Sequence, residues 1–381
     1  MKITQATIFP LSIPLIEPIK MAKELIVDAK TVLLCLTDDE GRQGWGEASV
    51  APLMTGETLD SLLASVKYLV ESARAIDWSD PVLFSTSCDA ILYGNPSAKS
   101  CLEMALLDLY TQKKSIPLWK YLRTLTSDAV TSAPADLPLL RMLGGSLEKE
   151  MADAKSFREA GFKHWKIKIG SLSLEEDLHR VKLLSDLLEG DVISVDANGT
   201  MSLDNAIRFC ESTQASKLSF AEQLIHADSP LADFVLLKQR SPIPIGLDES
   251  IHGSNEIEEF RKANALDGAS LKLIKTGGVL EAWKCAQLLR SNNLKLNLAC
   301  KVAETSLSGA ATAAVGFAIG EAPWGFSMSN QYLRFDICDQ PLIAKHGHLD
   351  VHQLNSTGVG ITPNLDRVKD AIAQAYSIIQ Y

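Results

Sequence analysis

Four groups of charged residues in the middle of the chain have the types and the spacing that proton transfer beside a cation requires. They are Lys166-Ile167-Lys168, Asp196-Ala197-Asn198, Glu222 and Asp248, and each lies at or directly after a short apolar run. Residues 164–170 alternate as a strand does, 192–195 lead into Asp196, 218–221 into Glu222, and 243–247 into Asp248. Asp196 and Glu222 are 26 residues apart, as are Glu222 and Asp248. A step of that size holds one strand, a crossover helix and two loops. If the unit is βα repeated in a closed parallel barrel, the three carboxylates fall at the same end, where barrel enzymes keep their chemistry. Three converging carboxylates are costly unless a hard dication sits among them, and an all-oxygen set suits Mg²⁺, Mn²⁺ or Ca²⁺. No histidine stands at a comparable strand end, which argues against zinc.

Lys166 and Lys168 are two apart and share a face, while Trp165, Ile167 and Ile169 take the other. Three large apolar groups suit the helix layer, so the lysines face the barrel interior near its mouth. Crowding by a like charge lowers the pKa of one of them toward the range of a working base. Lys272 and Lys275 pose the same problem on a later strand, read over residues 271–274; alternation permits Lys272 to face inward with Ile274 or outward. A lysine on each of two strands roughly across a barrel would flank the α-proton of a substrate carboxylate. Its carbanion is accessible only if the charge moves onto oxygens held by metal and ammonium groups. One lysine removing the proton and another returning one to the opposite face is racemisation or epimerisation.

The elements that position these groups follow from pattern. The chain has 381 residues, 46% of them hydrophobic, enough for a barrel of about 250 residues and a second domain. Residues 1–15 and 30–37 read as strands with a loop over 17–28, and 38–41 as a hairpin turn; 58–73 and 97–111 read as helices. That makes residues 1–125 a separate α+β domain. From there to about residue 330 strands and helices alternate, and because candidate residues end four or five successive strands, a closed barrel is preferred to an open sheet with one switch point. Residues 331–381 lose the period, end in a helix read over 365–379, and are expected to pack back on the first domain. A formal charge of −10 argues against a nucleic-acid partner, and no stretch has the length and apolarity of a membrane span. The seven scattered cysteines read as free thiols of a reducing compartment, and the N-terminus as a strand instead of a signal peptide, so a cytoplasmic location is expected.

With these residues in view, the chain resembles the enolase superfamily, in the muconate-lactonising-like subgroup that includes dipeptide epimerases, N-succinylamino-acid racemases and o-succinylbenzoate synthases. The motifs are Lys166-x-Lys168, Asp196-x-Asn198, Glu222, Asp248-Glu249-Ser250 and the run from Lys272 to Gly278; Gly44 to Ala48 and Glu103 to Leu109 resemble the family's capping domain. The resemblance implies a modified TIM barrel, (β/α)7β, over 126–330, with an α+β capping domain over 1–125 completed by 331–381. It implies Mg²⁺, with Mn²⁺ as a substitute, on Asp196, Glu222 and Asp248, and Lys168 and Lys272 as the acid/base pair. Lys166 would stabilise an enediolate, with Asn198 and Glu249 behind the metal ligands. A small-molecule substrate and a homo-oligomer are expected.

For the substrate, Cys300 to Thr305 resembles the last-strand segment of dipeptide epimerases, with Glu304 as its acid. Their D-x-D-G-P, which binds a substrate ammonium, compares with residues 335–341, where Asp339 is kept and Asp336 stands one place early. The capping-domain loop that chooses the side chain compares with residues 19–24, with Glu24 where an arginine receives an acidic side chain in alanine-glutamate epimerases. Glu24 would repel a glutamyl group, which suggests a dipeptide with a neutral or basic second residue, unless Lys20 and Lys23 neutralise it. The alternatives are an N-acylamino-acid racemase, an o-succinylbenzoate synthase, or a non-catalytic binding protein on the same fold.

Overall fold

Strand and helix alternate in the barrel region until the sheet closes. The computed structural model describes residues 1–20, 24–125 and 133–381. Eight strands follow one another in one sheet in chain order: Leu140–Leu143, His164–Lys168, Val192–Asp196, Phe220–Glu222, Ile245–Leu247, Gly268–Leu271, Lys295–Ala299 and Phe326–Ser327. Neighbours pair in parallel, and a bridge from Leu139 to Phe326 joins the eighth strand to the approach of the first. A crossover helix follows each of the first seven strands, so the barrel is (β/α)7β. Serine or threonine begins several of these helices: Ser146, Ser173, Ser202 and Thr305 each accept a backbone N–H of the first turn.

The N-terminal end of the barrel is plugged. Trp324 stacks on Phe220 with ring centroids 4.0 Å apart. A Cβ at Gly268 would come within 2.5 Å of the Trp324 ring, and one at Gly246 within 2.9 Å, so both positions need glycine for close approach. With the floor filled by rings, open space remains at the C-terminal mouth.

Over that mouth lies an antiparallel sheet in the order Ile379–Gln380, Ile3–Lys20, Leu25–Asp38, Gln43–Ser49, backed by helices Leu59–Ala73 and Pro96–Lys113. Two buried carboxylates tie it to the barrel by receiving backbone N–H groups at helix N-termini. Glu103 accepts from Val279, at the start of helix Val279–Ser291, and Glu47 accepts from the N–H of Ser308 at 3.2 Å and the hydroxyl of Thr305 at 2.5 Å, at the start of helix Ser306–Ile319. Burial pushes the Glu103 carboxyl up to about 7. The Gly44–Ala48 and Glu103–Leu109 patterns are therefore junction residues.

Three expectations about elements need correction. Within the stretch read as a loop, residues 17–20 and 25–28 are strand: the first two strands run to Lys20 and from Leu25, with Ile19 opposite Ile26. Along the returning arm Leu25 and Val27 are exposed and Ile26 is buried, an alternation that the interspersed charges obscured. The helix read over 365–379 spans only Leu365–Asp370, because the backbone beyond it bonds to the first strand, Ala373 N–H to Pro10 at 3.0 Å and Ala371 carbonyl to Ser12 at 2.8 Å. The sixth barrel strand stops at Leu271, and Leu273–Thr276 is one helical turn ended by Gly277 in the left-handed region at φ 80°. Ile274 therefore shares no strand face with Lys272. All seven cysteines are free and buried, and among the described residues no helix is long and apolar enough to cross a membrane.

Candidate active site

Parallel register brings the expected groups to one mouth. Asp196 is the register partner of both Lys168 and Glu222, and Glu222 pairs with Gly246, so Asp248 stands two residues further toward the opening, just past the end of the next strand. Trp165 and Ile167 are fully buried, which turns Lys166 and Lys168 inward. Lys168 ends the second strand and Lys272 follows the sixth; in a closed ring of eight these strands lie opposite one another. Both lysines line a cavity of about 540 Å³ with Lys166, Asp196, Asn198 and Glu249.

Lysines neutralise the carboxylates one by one. Lys168 donates to Asp196 at 2.5 Å and to the Asn198 side-chain carbonyl at 2.9 Å. Lys166 lies 2.8 and 2.7 Å from the two oxygens of Glu222. Lys272 donates to Asp248, and fully buried Lys275 donates to the same carboxylate at 2.5 Å. Burial alone would raise the pKa of Asp248, but Lys272 and Lys275 outweigh it and hold the carboxyl well below the usual range. At Glu222 burial wins over Lys166 and the shift is upward. Burial would lower Lys272, yet Asp248 and Glu249 raise it. Glu249 is pushed up to about 7 by burial and then by the charges of Asp248 and Asp196.

Among the described residues no three carboxylate, imidazole or thiol groups come close enough together to hold one ion; Lys168, Lys166 and Lys272 instead bond Asp196, Glu222 and Asp248 respectively. The donor chemistry nevertheless fits a hard dication: Asp196, Glu222 and Asp248 present oxygens only, from three adjacent strands. Beside them Glu249 accepts from Asn198 at 2.9 Å through one oxygen, while its other oxygen is buried with no hydrogen-bond partner.

The outer residues fare differently. Glu24 lines the cavity and Lys20 does not; Lys20 is exposed on the hairpin, and Lys23 lies outside the described residues. Glu304 is buried behind the wall, accepting from the Ser49 hydroxyl at 2.8 Å and the Lys301 N–H at 3.1 Å, so it positions the turn instead of facing the cavity. Asp336 is buried and spent on Ser306, accepting its N–H at 3.0 Å and its hydroxyl at 2.6 Å. Asp339 is exposed, bound to Arg367 at 3.2 Å and Asn364 at 2.8 Å. Neither aspartate lines the cavity, whose wall at the eighth strand is made by Ser327, Met328, Ser329 and Tyr332. Matching the motif by its proline drew attention past the strand end at Ser327.

Sequence reasoning missed Gln223. Its side-chain carbonyl accepts the N–H of Asp248 at 2.8 Å and of Ser250 at 3.1 Å, setting the turn that presents Asp248. Its place beside Glu222 was the one available signal. His226 and His252, both four residues beyond a predicted ligand, also line the cavity.

Comparison with known proteins agrees with this architecture. The family model described as "Enolase C-terminal domain-like" matches residues 149–367, and "Mandelate racemase / muconate lactonizing enzyme, N-terminal domain" matches 3–122. A hydrophobic dipeptide epimerase of Citrifermentans bemidjiense is 28% identical over 358 residues, covering 92% of this chain and 95% of that protein. An L-Ala-D/L-Glu epimerase of Bacillus subtilis is 27% identical, covering 91% and 90%. Among solved structures, the dipeptide epimerase of Cytophaga hutchinsonii, complexed with Mg and the dipeptide D-Ala-L-Val, superposes with a TM-score of 0.89 at 23% identity over the whole of both chains.

Proposed function

The chain belongs to the enolase superfamily, in its muconate-lactonising-like subgroup, and from that premise we propose that it is a magnesium-dependent epimerase acting at the α-carbon of a dipeptide. Its similarity to epimerases supports an isomerase whose two bases act on amino-acid or dipeptide-like substrates. The observation that carries the finer reading is the placement of Lys168 and Lys272 at the ends of the second and sixth strands, opposite one another across one cavity.

In this reading Asp196, Glu222 and Asp248 would hold the metal, with Glu249 and Asn198 behind them. Bound there, Mg²⁺ supplies positive charge beside the substrate carboxylate, which acidifies the α-proton. One lysine, as the neutral amine, takes that proton while the electron pair spreads onto the carboxylate oxygens. The other, as the ammonium, returns a proton to the opposite face, and the net change is inversion at carbon. Lys166 keeps an ammonium near the developing charge, and Asn198 orients Lys168.

A second reading, racemisation of an N-acylamino acid, is favoured by one observation: Asp336 and Asp339, the acids expected to bind a free ammonium, do not line the cavity. Magnesium-dependent exchange of the α-proton in D₂O tests both, scored on L,L-dipeptides and N-succinylamino acids in parallel. Exchange with inversion in either series supports two-base chemistry, and the series that reacts selects the reading. No exchange in either would overturn the function proposed.

A further inference from the structure

The outer wall of the cavity carries two opposite charges that the proton transfer does not use. Glu24, on the hairpin of the antiparallel sheet, and Lys301, in the turn after the seventh barrel strand, both line the cavity with their charged groups 3.7 Å apart. Their side chains are 31% and 12% exposed, so both charges are partly desolvated. Among the described residues neither has another ion-pair partner.

The lysine is held in place from both sides. Its N–H donates to Glu304 at 3.1 Å, its carbonyl accepts the Ser329 hydroxyl at 2.8 Å, and Glu304 in turn accepts from Ser49 of the capping sheet. Burial lowers the Lys301 pKa, and the charge of Glu24 opposes that shift. Around the pair the wall is apolar, with Ile26, Leu53, Met54 and Val302.

A charged substrate group entering this space meets one like charge for every opposite one and must open the ion pair to use either. An uncharged apolar group leaves the pair intact and gains the apolar wall. We propose that Lys301 is a specificity-determining residue: as the built-in counterion of Glu24 it neutralises this part of the wall, selects substrates whose variable group is uncharged and apolar, and hides the charge preference of Glu24. This rests on the reading of the site as acting on amino-acid derivatives. It also adds to the sequence-based expectation, because the ion-pair partner of Glu24 among the described residues comes from the barrel.

The test is calorimetric binding, which needs no turnover, to the magnesium-loaded protein. Leucine, glutamate and lysine compounds are supplied both as L-alanyl dipeptides and as N-succinyl derivatives, and the pattern is read in whichever series binds. Wild type should favour leucine by about tenfold over either charged compound. Lys301→Met should raise the lysine-to-leucine affinity ratio by about tenfold, and Glu24→Gln should raise the glutamate-to-leucine ratio by about as much. The double variant should return to leucine. Shifts in the same direction, no shift, or no binding of any compound to wild type would overturn the proposal. Inversion of preference without α-proton exchange would remove the epimerase reading alone, and exchange without inversion would remove this proposal alone.

Discussion

At the inner end of the cavity, Lys168 and Lys166, rooted on barrel strands, meet carboxylates at 2.5 to 2.8 Å, whereas the outer end is assembled from a hairpin and a turn and holds one ion pair at 3.7 Å. Inner side chains inherit their positions from strand register, a hydrogen-bonded lattice that leaves little freedom. Outer side chains depend on how two separate elements happen to meet. A stiff inner end suits chemistry common to many substrates, and an adaptable outer end suits the choice among them. The two ends should therefore answer differently to mutation.

The largest effect is expected at the inner end. Lys168→Ala and Lys272→Ala should each lower kcat/KM for epimerisation by about 10³-fold or more, followed by proton NMR in D₂O. Full activity in either variant would remove the two-base account and the contrast with it. Next in size is Asp248→Ala, which strips the carboxylate from Lys272 and from fully buried Lys275. Leaving a buried charge unpaired costs about 3–5 kcal/mol in chemical denaturation, while Glu24→Gln at the outer end should cost less than about 1 kcal/mol. Equal losses would mean that the two ends are alike in rigidity.

Behind the outer wall lies Glu304, whose carboxyl is pushed from 4.5 up to about 7 by burial and then by Glu47. The folded protein keeps a proton there that the unfolded chain releases, so this group's stabilisation is complete below about pH 4.5 and is lost as pH rises through about 7. Glu304→Gln should flatten that decline, on the order of 3 kcal/mol between pH 4.5 and 7, in denaturation curves taken across the range. An unchanged slope would show that Glu304 does not titrate there. Smallest of all, Lys20→Ala and Asp339→Asn, both at exposed positions outside the cavity, should shift stability by less than about 0.5 kcal/mol and leave the binding ratios unaltered. A changed ratio would extend the outer end beyond the residues that line it.

Much of the inner end was legible before any coordinates. Period-two alternation turned Lys166 and Lys168 inward, and the equal 26-residue steps put Asp196, Glu222 and Asp248 at one end of the barrel, because side-chain direction and chain rise in a parallel sheet are local and repetitive. The crossover helices were legible for the same reason. What the local pattern could not carry was anything decided by contact between distant segments. Residues 17–20 and 25–28 are strand because the two segments pair with each other, and residues 371–380 leave the helix because the first strand takes their backbone groups. Asp336 and Asp339 look like ligands in one dimension, yet Ser306 and Arg367 claim them in three. Lys301 and Glu24 are 277 residues apart in the chain, and a charge cancelled across that distance leaves no mark on either neighbourhood. Sequence alone thus determined the barrel and which residues its strands carry to the mouth, and tertiary packing decided which charges remain free to meet a substrate, since electrostatic pairing acts through space and not along the chain.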